Sequence, residues 1–157
     1  MLKFCLDKWT QNSDDLRDYL MNEKSFDDYE YLDLVKLIVE FILNKETPGD
    51  DDRYNVDNIT EIDNGDYQGT LLYVIPADTY QPSEWEYIMT CVSYGSCSGC
   101  DTLQAILACP YGAKEMLVDD LMHLCRDMVT NIVAPYRTTD HWAFRDEDKN
   151  VEVKWED

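Results

Sequence analysis

The chain has 157 residues, 45% of them hydrophobic and 12% aromatic, which is enough to build the core of one domain without disulfides or metal. Its 33 acidic and 13 basic side chains leave a formal charge of −20. With the few cations scattered along the chain, direct binding to a nucleic-acid backbone or to an anionic membrane is unfavourable. Such a charge instead suits a partner with a basic surface, or simply solubility.

No apolar run reaches the roughly 18 residues of a membrane span, and charge interrupts Met1 to Trp9 too early for a signal peptide. A cytoplasmic protein is expected. The six cysteines, at positions 5, 91, 97, 100, 109 and 125, are then expected as reduced thiols, most of them buried as small hydrophobes.

Near the N-terminus, Asn12-Ser13 can cap a short helix whose apolar face is Leu16, Tyr19 and Leu20, with Asp14, Asp15 and Asp18 at the positive end of its dipole. A stronger helix is predicted over 27–45. There Tyr31, Leu34, Val35, Ile38, Val39 and Ile42 belong to a broad apolar surface, and Asp33, Lys36, Glu40 and Asn44 form a narrow polar stripe. A helix so widely apolar should be buried, and a sheet is the expected partner. Thr47-Pro-Gly-Asp-Asp-Asp52 ends it in a solvated loop. This loop lacks the alternating acids, glycine and closing Glu of an EF-hand, so calcium is not expected there.

From Asn58 the period changes to that of strands. Ile59 to Ile62 and Tyr67 to Ile75 flank Asn64-Gly65, which predicts a hairpin with a type I′ turn. Gly69 inside the second strand implies a bulge or the close approach of other atoms. After a connection bracketed by Pro76 and Pro82, Tyr87 to Tyr94 reads as a third strand beside the second.

Asp101 and Gln104 have the spacing of a capping box. A helix is therefore predicted from Thr102, with Leu103, Ile106 and Leu107 inward and Pro110 and Gly112 beyond its end. A last helix is predicted over 114–133, carrying Leu117, Leu121, Leu124, Met128 and Ile132 on one stripe and closed by Pro135. The expected fold is α+β: an antiparallel sheet of three to four strands within 56–94, packed by N-terminal and C-terminal helices, in a single domain over 1–139. The remainder, 140–157, is read as an acidic tail or an edge strand.

Cys97-Ser-Gly-Cys100 has the spacing used by zinc knuckles and by redox dithiols. Zinc would need further ligands from Cys91, Cys109 or Cys125. His123 is a poor one, since helical geometry turns it about 200° away from Cys125. A helix dipole beginning near Asp101 would favour a thiolate, whereas the Asp101 charge opposes it. The plain alternative is a tight turn from strand to helix, made of small residues that permit close packing. Catalysis by either cysteine lacks a well-placed base, and no catalytic residue is assigned. No cofactor is expected other than zinc at the cysteine pair.

Asp66-Tyr-Gln-Gly-Thr-Leu-Leu-Tyr-Val-Ile-Pro76, Tyr80-Gln-Pro82 and Tyr94-Gly-Ser-Cys-Ser-Gly-Cys-Asp-Thr-Leu-Gln104 together resemble a family of small uncharacterised proteins encoded mainly by bacteriophages. The resemblance covers about the middle third of the chain. It implies a phage context in a host cytoplasm and carries over no catalytic residue. In that context the charge points to an interaction protein that binds a basic surface of a host or phage protein, as an inhibitor or as a charge mimic of nucleic acid. Its candidate contacts are Asp27, Asp28, Glu30 and Asp33, then Asp50, Asp51 and Asp52, then Asp146, Glu147 and Asp148. The alternative is a metal-binding or thiol-redox protein using Cys97 and Cys100, with Cys91 as a further ligand.

Overall fold

In the computed structural model, described for residues 1–45, 53–137, 142–146 and 151–154, the fold is α+β. Three antiparallel strands, β1 (Thr60–Asp63), β2 (Gly69–Pro76) and β3 (Tyr87–Tyr94), lie in the order β1-β2-β3. Helices from both ends of the chain pack together with this sheet: α1 (Leu2–Asn22), α2 (Tyr31–Leu37), α3 (Thr102–Ala108) and α4 (Lys114–Thr130), of which α4 lies against β3.

Helix α1 is much longer than the short helix expected after Asn12. Its buried positions are Cys5, Lys8, Asn12, Leu16 and Leu20, so two polar residues sit on the inward face. That composition hides the amphipathic pattern in the first half of the helix. Both polar groups are satisfied by the chain end of the next helix: Asn12 Nδ2 donates to the Ile42 carbonyl at 3.0 Å, and Lys8 Nζ to that of Lys45 at 3.2 Å. Asn12 is a core residue and not a helix cap.

The second helix starts at Tyr31, later than the apolar pattern implied, because the Asp33 carboxylate accepts the Glu30 backbone N–H at 2.8 Å and stops the helix there. From Ile38 to Leu43 it continues as a π-helical segment, in which Asn44 N–H reaches the Val39 carbonyl at 2.8 Å. Its main neighbours are α1 and α4, not the sheet that the sequence led one to expect. Leu34, Val35, Ile38, Val39 and Ile42 are buried there with Leu121, Cys125 and Met128 of α4.

The β1–β2 hairpin has a longer connection than a two-residue turn. Asp63 pairs with Leu71, and Asn64 Oδ1 accepts the Thr70 N–H at 2.7 Å. Within this loop Gly65 and Gly69 lie back to back: a Cβ built on Gly69 would stand 2.9 Å from Gly65 Cα. The close approach anticipated for Gly69 is therefore to the Asn64 side chain, at 2.8 Å, and to the Gly65 backbone. Strand β3 has the expected bounds and pairs with β2 along its whole length, from Gly69 opposite Tyr94 to Pro76 opposite Tyr87.

Helix α4 seats the other side of β3. Thr90 Oγ1 donates to the Met128 carbonyl at 2.7 Å, and Met89 and Val133 exchange backbone hydrogen bonds at 2.8 Å. The chain then forms a second antiparallel sheet, β4 (Pro135–Arg137), β5 (Trp142–Asp146) and β6 (Val151–Lys154), in the order β4-β5-β6. A strand was one of two expectations for the C-terminal stretch, and two strands form there; the boundary expected after residue 139 lies outside the described residues.

Candidate functional site

The turn that carries the cysteine pair is built around Asp101. This residue caps α3 as anticipated, its Oδ1 accepting the Gln104 N–H at 2.8 Å, but it does more than cap. It is only 4% exposed, its Oδ2 accepts the Gly95 N–H at 3.0 Å, and Oδ1 also receives the Tyr31 hydroxyl at 3.2 Å. Burying a carboxyl group is unfavourable unless its oxygens are hydrogen-bonded, and these donors supply that. Gln104 does not complete a reciprocal capping box; its Nε2 donates to the Gly95 carbonyl at 3.2 Å instead.

Gly95 has no room for a side chain. A Cβ there would stand 2.5 Å from both the carbonyl oxygen and the Sγ of Cys100. The turn then closes with Cys100 N–H and Asp101 N–H both donating to the Cys97 carbonyl, at 3.0 and 2.9 Å. This folding brings the two thiols to 3.1 Å, both on the exposed surface. The hydrogen bond with Cys97 holds the Cys100 thiol below its ordinary pKa, and its short contact with the Cys97 carbonyl is 3.4 Å.

Cys91 is exposed on β3, opposite Leu72, and among the described residues no three His, Cys, Asp or Glu side chains gather as a metal site. Cys125 and Cys5 are fully buried, and burial pushes their thiols up to about 12 and about 11. Cys109 is exposed just past α3, so the expectation that most thiols are buried fails: four of the six are exposed. Their positions on a strand face, in a turn and at a helix end explain this, since none of those places is covered by another element. His123 is on the exposed side of α4, as helical geometry implied.

Beside the turn opens a cleft of about 310 Å³, between the start of α2, the sheet and α3. Four tyrosines line it: Tyr29, Tyr31, Tyr73 and Tyr94. Four acids line it too: Glu30, Glu61, Asp63 and Asp101, with no Lys, Arg or His among the described lining residues. Tyr94 donates to Asp63 at 2.7 Å, and that bond, followed by the Gly65 N–H, holds the Asp63 carboxyl below its usual range. Burial is the main reason why the Tyr31 phenol is pushed up to about 12. These phenols therefore stay protonated at neutral pH and act as donors toward the acids.

No family model matches the chain, and neither does any curated protein or solved structure. The chemistry of the site has to be read from its own residues.

Of the acids singled out from the sequence, Glu30 lines this cleft. Asp27 lines a larger one of about 680 Å³ beside Lys24, Phe26, Tyr111 and Lys114. That second cleft carries two bases, and Lys114 both approaches the Phe26 ring at 5.8 Å and donates to the Glu23 carbonyl. Asp28 is exposed, and Asp33 is tied to the Glu30 backbone. Asp146 ends β5 opposite Val151, while Asp50, Asp51, Asp52, Glu147 and Asp148 lie outside the described residues. The residues that sequence reading missed are Tyr31, Tyr73, Tyr94, Glu61 and Asp63. Tyr73 sits in a nearly continuous apolar strand and reads as core, and nothing in the local pattern joins it to Glu61 or Glu30.

Proposed function

We propose that this protein binds a basic surface of a protein partner, in the phage and host context that the middle third of the chain resembles. The observation that carries the reading is the acid-lined cleft, whose lining holds four acidic residues and, among the described residues, no basic one. A net charge of −20 adds long-range attraction for a basic partner and repulsion for phosphate polymers. A partner that normally holds nucleic acid would meet this chain as a charge mimic.

The test is direct binding of the purified protein to arginine-rich and lysine-rich peptides and to basic proteins captured from infected and uninfected host cells, at low and at high salt. Binding at low salt that weakens steeply as salt is raised is the expected result. Absence of binding to any basic peptide at low salt defeats the reading.

The thiol pair supports a second reading, carried by the 3.1 Å separation of Cys97 and Cys100 Sγ at the surface. In it the two thiols give up two electrons and two protons to a disulfide of a partner, which leaves as two thiols while Cys97 and Cys100 join. Equilibration in glutathione redox buffers, read by mass spectrometry of alkylated protein, measures the potential. A pair that stays reduced in oxidised glutathione removes the redox reading, and zinc content after purification without chelator tests metal binding by the same thiols.

A further inference from the structure

Three of the four tyrosines in the cleft use their hydroxyl as a donor to an acid: Tyr94 to Asp63, Tyr31 to Asp101, and Tyr29 to Glu23 at 2.9 Å. Tyr73 differs. Its side chain is 0% exposed, and its Oη has no partner in hydrogen-bond geometry among the described residues. Glu61 stands directly opposite it across the β1–β2 pairing. Burial, and then the Glu61 carboxylate beside it, push the Tyr73 phenol upward, while Glu30 contributes from farther off. The carboxylate is thus near the hydroxyl but outside hydrogen-bond geometry.

An unpartnered buried hydroxyl is rare and unfavourable in a folded protein. This one forms part of the wall of a cleft and is flanked by two exposed acids, Glu30 and Glu61, neither of which has a basic partner among the described residues. A phenol oxygen both donates and accepts, so it can give its proton to Glu61 and take an N–H from an incoming group. Glu61 is exposed, and exposed side chains change rotamer rapidly, so its carboxylate is free to swing toward such a group.

We infer that the cleft receives one guanidinium group, an arginine side chain of the basic partner, held by Glu61 and Glu30 and by the Tyr73 hydroxyl. This inference rests on the reading of a basic partner and names the group that the partner inserts. Charge selects a cation, since four acids and, among the described residues, no base line the space, and Asp63 and Asp101 already hold tyrosine hydroxyls while Glu30 and Glu61 do not. Shape selects guanidinium over ammonium: a planar fork of five donors can bridge two carboxylates and lie against tyrosine rings, as a compact ammonium cannot. Size is compatible, because about 310 Å³ is at the lower end of ligand sites and accommodates one long side chain.

The experiment titrates the full chain at low salt with N-acetyl-arginine amide, with a short peptide carrying the same arginine between glycines, and with N-acetyl-citrulline amide as the neutral isostere. Tyrosine ring resonances report the binding. Both arginine probes should saturate, the citrulline probe should not, and Tyr73→Phe and Glu61→Gln should each weaken binding about tenfold. Tyr73→Phe loses only a hydroxyl without a partner, so its urea unfolding should match or exceed that of the parent, which separates lost binding from lost folding. Tyr80→Phe, at a side chain 97% exposed and outside the cleft, should leave binding unchanged.

If arginine-rich peptide still binds but with equal affinity for parent, Tyr73→Phe and Glu61→Gln, the cleft assignment is wrong while the basic-partner reading stands. If no arginine probe and no basic peptide binds at low salt, both fall. Saturation by the free amide but not by the peptide would mean a small-molecule cation and overturn the assignment to a partner side chain.

Discussion

The Tyr31 hydroxyl, 70 positions before Asp101 in the chain, donates to the Asp101 carboxylate at 3.2 Å and accepts the Leu103 N–H at 3.1 Å. One phenol therefore ties the first turn of α2 to the first turn of α3. Through the second oxygen of Asp101 the same link reaches Gly95, and with it the turn that holds Cys97 and Cys100. The cysteine pair and the tyrosine-lined cleft share this single buried carboxylate as their support.

Asp101→Ala removes the acceptor for three donors, Gly95 N–H, Gln104 N–H and the Tyr31 hydroxyl. Urea unfolding should show a loss of about 3 kcal/mol, because each buried donor left unpaired costs about 1–3 kcal/mol and some of them regain water. Asp101→Asn keeps one acceptor oxygen and should lose about half as much. Equal stability of parent and Asp101→Ala would mean that the carboxylate is dispensable.

The alkaline limb of stability should depend on Tyr31. Its phenol is raised from 10.0 to about 12, mainly by burial, so the folded state holds this proton more tightly than the unfolded state does. Its contribution is fully present below about pH 10 and is lost as pH rises toward 12. The amount is on the order of 2 kcal/mol. Comparing the parent with Tyr31→Phe by urea unfolding at stepped pH should show a shallower alkaline decline in the variant, on top of a lower plateau.

Gly95→Ala forces a methyl group to within 2.5 Å of the Cys100 thiol and of its backbone carbonyl, and the carbonyl cannot move without opening the turn. A destabilisation of about 2 kcal/mol is expected, together with altered alkylation of Cys97 and Cys100. Gly112→Ala is the control, since among the described residues, its chain neighbours aside, no atom lies within 4 Å of the added carbon, and its effect should stay within about 0.5 kcal/mol.

Thiol chemistry should divide the cysteines in two. Cys100, held below its ordinary 9.0 by the Cys97 hydrogen bond, should reach half-maximal alkylation rate below pH 9.0. Cys5 and Cys125 are fully buried and raised, and should react only after unfolding. Cys97→Ser replaces the thiol that lowers Cys100, so the alkylation profile of Cys100 should move. A profile unchanged by Cys97→Ser would show that the pair is not coupled.

Where an element depends on its own neighbours in sequence, the residues specified it. Strand β3 has the bounds that Tyr87 to Gly95 imply, α3 begins after its Asp101 cap, and His123 faces outward, because strand period, capping and helical rotation are local geometry. The first half of α1 was illegible for a physical reason. Lys8 and Asn12 occupy its buried face, and only the carbonyls of Ile42 and Lys45, supplied by the end of another helix, make those positions tolerable.

The candidate site divides in the same way. The C-x-x-C spacing and the Asp101 cap suffice to place two thiols at the start of a helix. Tertiary structure alone decided that Cys91 stands apart from them, that Asp101 collects donors from three segments, and that Tyr73, fully buried in the core, also borders a cleft. Those outcomes depend on contacts between residues far apart in the chain. Neither composition nor period encodes which side chains such contacts will bring together.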